Sequence, residues 1–412
     1  MSQPAKSFRV DAERLWSRHM DMARVGATPL GGCNRQALSE LDMAGRALLT
    51  RWAEAAGCEA RVDAIGNLFI RREGVDPKLP VVMTGSHLDT QPTGGKFDGV
   101  YGVLAGLEVI ESLNDRGYTT LHPLELAVWC NEEGSRFPLA MMGSAVWAGR
   151  VGLGEAHAIK DRSGVSVRDE LARWKFPSAA TPRAAVKASL EAHIEQGPIL
   201  EQRGKRIGVV TGVQHMCRHE VTVTGQEAHA GPTPMQLRKD PVRVLAEVLP
   251  AMYAAAKDLG EDARFTVGFI DTRPGSPNTV PGLLRFTVDL RHPDQLRYQA
   301  LKQKLHESVQ AAAARHNVQG SVNLMWEAPG VSFDAACIAA VREAAEALGF
   351  EREEMMSGAG HDSCNVCAVV PTAMIFVPCA GGLSHNEAES ATKEDLAAGA
   401  DVLLQALLKL AS

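Results

Sequence analysis

No stretch of this 412-residue chain approaches the roughly 20 consecutive apolar residues that a membrane-spanning helix requires. Met1 to Val10 has no apolar core of signal-peptide length, so a cytoplasmic location is expected. Runs of lysine and arginine are also missing, and the formal net charge is −6. A nucleic acid or an anionic membrane is therefore not expected as the main partner, which leaves small solutes. The eight cysteines are scattered and form no disulfide framework. The one Cys-x-x-Cys, Cys364 and Cys367, has no second pair and reads as two small buried hydrophobes. There is no internal repeat and no low-complexity segment.

The length calls for two domains. Short apolar strands are predicted at Asn67 to Ile70, Val81 to Thr84, Leu124 to Cys130 and Ala373 to Val377. They alternate with helical stretches in the manner of a mixed, largely parallel sheet covered by helices. Ser39 to Asp42 and Thr392 to Asp395 have the pattern of helix caps. Between them the texture changes. Residues 213–331 read as strand, helix, strand, strand, helix, strand, the order of a ferredoxin-like α+β domain. The expectation is an α/β domain made of residues 1–212 and 332–412, with 213–331 inserted.

Polar clusters follow the sheet domain's strands, where open α/β sheets build their sites. Gly85-Ser86-His87-Leu88-Asp89-Thr90 and Gly95-Lys96-Phe97-Asp98-Gly99 follow one strand, and Asn131-Glu132-Glu133 follows another. In Leu190 to Glu195 strict alternation sets His193 on the face opposite Leu190, Ala192 and Ile194. His385 lies beyond the strand at Ala373 to Val377. Singly, each cluster also reads as a capped or solvated turn. Together, His87, Asp98, Glu133, His193 and His385 form a donor set suited to zinc, manganese, cobalt or nickel, with a carboxylate available to bridge two ions. Glu132, adjacent to Glu133, is placed to act as general acid and base. Asp89, two residues from His87, is expected to orient that imidazole from behind.

Gly85 to Thr90, Gly95 to Gly99, Asn131 to Phe137, His193-Ile194-Glu195-Gln196-Gly197-Pro198 and Ser384-His385-Asn386-Glu387 together resemble the hydantoinase/carbamoylase family of metal-dependent amidohydrolases. That family has the zinc-aminopeptidase-like fold, and the resemblance runs over nearly the whole chain. It implies two divalent ions, with Asp98 bridging, His87 and His193 on one or other ion, Glu133 and His385 completing the set, and Glu132 as acid/base. It further implies a homodimer in which His229, within Gly225 to Pro232, reaches the partner's site and polarises the scissile carbonyl. Arg291 and Asn278 would hold the substrate carboxylate, Gln196 would contact the ureido or carboxylate group, and Gly360 and His361 would close the pocket. The implied reaction is hydrolysis of an N-carbamoyl-L-amino acid to amino acid, carbon dioxide and ammonia. Allantoate or a β-ureido acid is the alternative substrate. A reading of another class is a metal-stabilised binding protein that keeps the fold without turnover; loss of Glu132 or a ligand would favour it, and the sequence has lost neither.

Overall fold

Val81, Val82 and Met83 are buried, and so is every other residue of their strand as far as His87. An apolar run of this kind belongs at the centre of a parallel sheet covered on both faces. The computed structural model describes residues 8–179 and 183–412. The chain divides into two units, the described residues of Met1–Gly212 with Ser332–Ser412, and Val213–Val331.

In the first unit the strands are β1 (Glu59–Val62), β2 (Leu68–Arg72), β3 (Val81–His87), β4 (Leu124–Trp129), β5 (Val186–Ile194), β6 (Ile207–Val213), β13 (Val331–Ser332), β14 (Arg352–Ser357) and β15 (Thr372–Val377). Their sheet order is β1-β2-β4-β3-β5-β15-β6-β13, with β14 pairing β6. β4, β3, β5 and β15 run parallel, and β2 and β6 flank them antiparallel. Helices Val100–Asp115, Ala335–Ala347 and Lys393–Leu410 pack on these strands and on one another. The eight cysteines are free thiols. No helix among the described residues is long and apolar enough to cross a membrane.

The second unit has strands β7 (His215–Thr224), β8 (Ala228–His229), β9 (Arg264–Arg273), β10 (Thr279–Val280), β11 (Leu283–His292) and β12 (Gln319–Ala328). Its main sheet is antiparallel in the order β12-β7-β11-β9. Along β11 every second residue is buried, so Leu284, Phe286, Val288 and Leu290 join Leu301 and Leu305 of helix Gln295–Arg315 in one core. This is the strand order of a ferredoxin-like fold, with the small ladder β8–β10 added.

Candidate metal centre and active site

The C-terminal ends of the four parallel strands converge. β3 ends at His87, β4 leads to Glu132 and Glu133, β5 carries His193 and leads to Gln196, and β15 leads to the loop with Ser384 and His385. Asp98 stands just ahead of helix Val100–Asp115. Gly99 begins that helix at φ +66°, and a Cβ there would lie 2.3 Å from the His87 ring, so only glycine lets Asp98 and His87 sit this close.

Asp98 is the hub. Its Oδ1 lies 3.2 Å from His193 Nε2 and 3.8 Å from His87 Nε2, while its Oδ2 lies 3.4 Å from His385 Nε2. Glu133 Oε2 is 3.3 Å from the same His385 nitrogen. Donor atoms of His87, Asp98 and His193 therefore fall within 4.8 Å of one another, as do those of Asp98, Glu133 and His385. The two groups share only Asp98. Nδ1 of His87 contacts the Asp89 carbonyl at 2.9 Å, and Nδ1 of His193 contacts the Ile194 carbonyl at 2.9 Å. These carbonyls hold the Nδ1 protons, so both rings turn Nε2 toward Asp98. Glu132 belongs to neither group, and its Oε2 lies 3.6 Å from His87 Nε2.

The charges around this hub are poorly balanced without a cation. Burial, with Asp362, Glu133, Asp89 and Asp98 around it, holds the Glu132 carboxyl well above the usual carboxylate range. Burial and the charge of Asp98 push Glu133 up to about 8. Burial works against ionisation of Asp98 too, but hydrogen bonds from His193 and His385 hold it well below its ordinary value. Burial lowers His87 to about 4, which leaves its ring neutral. Buried Oε1 of Gln196 has no hydrogen-bond partner among the described residues. Crowded buried acids, the neutral His87 ring, two further imidazoles that hold protons only against Asp98, and an orphaned acceptor are surroundings that a divalent cation relieves by taking the place of those protons, so the residues fit metal.

The structure adds detail to two of these residues. Asp89 orients His87 through its backbone carbonyl. Its carbonyl faces the ring, while its carboxylate reaches the residues after β4, where it accepts the N–H groups of Glu132 and Glu133 at 3.2 Å each. Gln196, at φ +58°, turns inward: its amide N–H group donates to Asp98 Oδ2 at 2.9 Å and to Ser384 Oγ at 3.1 Å. His361 is buried, bonded through Nε2 to Ser357 Oγ at 2.9 Å, with its ring 4.6 Å from that of His193. Gly360 lies against the Met141 thioether.

Sequence reasoning missed Gln91, whose backbone N–H and side-chain amide both donate to Glu133 at 3.1 and 2.7 Å. It also missed Glu389, which is buried beside Asp98. The only sequence signal for Glu389 was an acidic residue four positions beyond His385.

The second unit brings His229 and Asn278 together. β8 pairs with β10 so that His229 faces Thr279, and the Ala230 N–H donates to the Asn278 carbonyl at 2.9 Å. His229 and Asn278 are exposed. Arg291 directs Nε and Nη2 at the two carboxylate oxygens of Asp289, at 2.7 and 3.2 Å. The planar fork suited to a substrate carboxylate is thus directed at a neighbouring side chain.

A largely parallel sheet that gathers two overlapping imidazole and carboxylate donor groups at its strand ends, with a further buried carboxylate alongside, has the composition of a metal-dependent hydrolase site. Residues 83–409 match peptidase family M20/M25/M40, and the chain belongs to that family. It is 45% identical to an N-carbamoyl-L-amino-acid amidohydrolase of Rhizobium meliloti, an alignment covering 100% of this chain and 99% of the relative. It is 35% identical to the allantoate amidohydrolase of Escherichia coli, over 95% of this chain and 96% of the relative. A crystal structure of an amidase of the hydantoinase/carbamoylase family from Burkholderia multivorans matches with a TM-score of 0.94 at 48% identity, covering 98% of this chain and 99% of that one. The catalytic fold is zinc-aminopeptidase-like, and the protein is a hydrolase acting on linear amides.

Proposed function

We propose that this enzyme hydrolyses the carbamoyl C–N bond of an N-carbamoyl-L-amino acid, using two divalent ions held by His87, Asp98, His193, Glu133 and His385. The observation that carries the reading is Glu132: a buried carboxylate outside both donor groups, 3.6 Å from one of their imidazoles. Zinc, manganese, cobalt and nickel all suit the donors. Bound divalent ions supply Lewis acidity, polarising the carbonyl and making water a nucleophile at neutral pH.

The chain's own groups do the rest. Glu132 takes a proton as the water oxygen bonds to the carbonyl carbon, then delivers it to the departing amino-acid nitrogen as the C–N bond breaks. The amino acid leaves with its nitrogen protonated, and the carbamate left behind decomposes to carbon dioxide and ammonia. His229 of a second copy steadies the negative charge that develops on the carbonyl oxygen. Arg291 and Asn278 hold the substrate carboxylate, for which Arg291 must share its fork with Asp289. The free thiols agree with a cytoplasmic setting. Allantoate, the substrate named for the Escherichia coli relative, is the second reading.

The test is ammonia release from N-carbamoyl-L-amino acids, allantoate and N-carbamoyl-β-alanine after chelation and reloading with single metals. The expected result is fastest release from one or more N-carbamoyl-L-amino acids. Preference for allantoate moves the assignment to the second reading, and no release with any metal defeats both. Arg291→Ala is expected to raise KM roughly tenfold to a hundredfold, the size of a lost charge-assisted hydrogen bond, with a smaller change in kcat. An unchanged KM removes Arg291 from the substrate. Mixed His229→Ala and Glu132→Gln proteins, each inactive alone, are expected to regain activity through heterodimers with one intact site. No recovery despite demonstrated subunit exchange rules out a shared site.

A further inference from the structure

The carboxylate of Glu389 is 1% exposed, and both of its oxygens point at the hub of the donor set. Oε1 accepts two consecutive backbone N–H groups, from Phe97 at 2.8 Å and Asp98 at 3.1 Å. Helix Val100–Asp115 begins immediately afterwards, and its own N-cap, Gly99, offers no side-chain cap. Glu389 thus brings negative charge from a distant loop to the N–H groups leading into an otherwise uncapped helix. Oε2 lies 3.1 Å from Ser384 Oγ, which is itself 2.9 Å from Asp98 Oδ2. A serine hydroxyl has one proton, so Ser384 serves one carboxylate at a time. The Gln196 amide donates both to Ser384 Oγ and to Asp98 Oδ2. Asp98 is therefore fixed at two levels: its backbone by Glu389, and its Oδ2 by a Gln196–Ser384 pair that Glu389 anchors. Oδ1 is left facing His87 and His193.

We propose that Glu389 is a positioning residue that sets the place and orientation of the Asp98 carboxylate, and that without it both donor groups lose affinity for divalent ions together. The inference rests on the reading of Asp98 as a bridging ligand. Its signature is joint weakening, since a fault at His87 or His385 alone would affect one group. Gly95 supplies an independent handle. A Cβ built there would lie 2.0 Å from the Glu389 carboxyl group, so Gly95→Ala displaces that carboxylate without touching Asp98.

The experiment is titration of the metal-free protein with Mn2+ and Zn2+ by calorimetry, with thermal unfolding recorded on the same samples. Glu389→Ala is expected to stay folded and to bind both equivalents roughly tenfold to a hundredfold more weakly, the usual effect of removing a group that orients a ligand. Glu389→Gln keeps an acceptor for the two N–H groups and an N–H group for Ser384, and is expected to stay within a few-fold of wild type. Gly95→Ala should reproduce the alanine phenotype, and in the Glu389→Ala background it should add no further loss. Rescue by glutamine and this non-additivity separate positioning from general destabilisation. A folded Glu389→Ala that binds both ions normally, a glutamine variant as damaged as alanine, or strictly additive losses would each overturn the inference. Wild-type protein that binds no divalent ion is a distinct result, and it defeats the metal reading beneath the inference.

Discussion

Glu132→Gln is expected to retain its full complement of metal and to lose turnover by roughly a hundredfold to ten-thousandfold, the range for removing a general acid/base. The side chain is buried, and every charged group raising its pKa is another carboxylate. An amide of the same shape neither adds charge to that cluster nor accepts a proton at working pH. It also leaves the backbone in place, because the Glu132 N–H remains bonded to Asp89 and its carbonyl to the Met141 N–H. The raised Glu132 carboxyl must take up a proton when the metal-free chain folds at neutral pH, a cost that the amide does not carry, so thermal stability should be unchanged or higher. Ammonia release, metal analysis and thermal unfolding of one preparation decide the matter. Near-normal turnover would take Glu132 out of the chemistry, and loss of metal would make it a ligand.

Chelation is expected to abolish activity and to leave a protein whose stability falls as pH rises from about 6.5 to about 9. In the metal-free site the carboxyls of Glu133, Glu389 and Asp89 are raised to about 8, 7 and 7, each chiefly by burial. Folding thus holds protons that the unfolded chain has already released, and stability declines with pH through those values. Burial works against His193, but the hydrogen bond it donates to Asp98 raises it to about 9, and the hydrogen bond His385 donates to Asp98 raises that ring to about 9 despite burial. Their stabilisation is complete below about 6.5 and is lost as pH climbs through about 9, so their decline overlaps and extends that of the carboxyls, which begins at about 4. Bound cations replace those protons, and the loaded protein should be nearly flat there. Unfolding temperatures measured with and without metal from pH 6 to 9 check this. A chelated protein that grows more stable with pH would contradict it.

How much the sequence discloses depends on where an element's information lies. β3, β4 and β15 are legible because strands covered on both faces are almost wholly apolar, and the inserted unit because its strands and helices keep their periods. Helix Ala12–Ala23 goes unread: only Leu15, His19, Met22 and Ala23 are buried, and one of these four is a histidine. The edge strands β1 and β14 have mixed, half-exposed patterns that resemble loops. Within the site, the donors stand out as clusters after apolar runs. The second layer does not. Asp89 acts on His87 through a carbonyl every residue possesses, Gln196 is redirected by a left-handed backbone angle, and Glu389 acts on N–H groups as far as 292 positions away. Such contacts exist only once the chain has folded.

The convergence of four strand ends also has a meaning for chain topology. Asp98 and Ser384 touch across a separation of 286 residues, and the whole inserted unit lies within that span. Closing so long a loop in a flexible chain costs about 5 kcal/mol plus a constant, by the logarithmic dependence on length. Divalent ions held as proposed by His87, Asp98, Glu133, His193 and His385 would bind only the closed chain, so their binding energy would favour closure much as a covalent cross-link does. On that proposal, scarcity of metal would endanger more than turnover: it would loosen the clasp that joins the first third of the polypeptide to its last thirty residues.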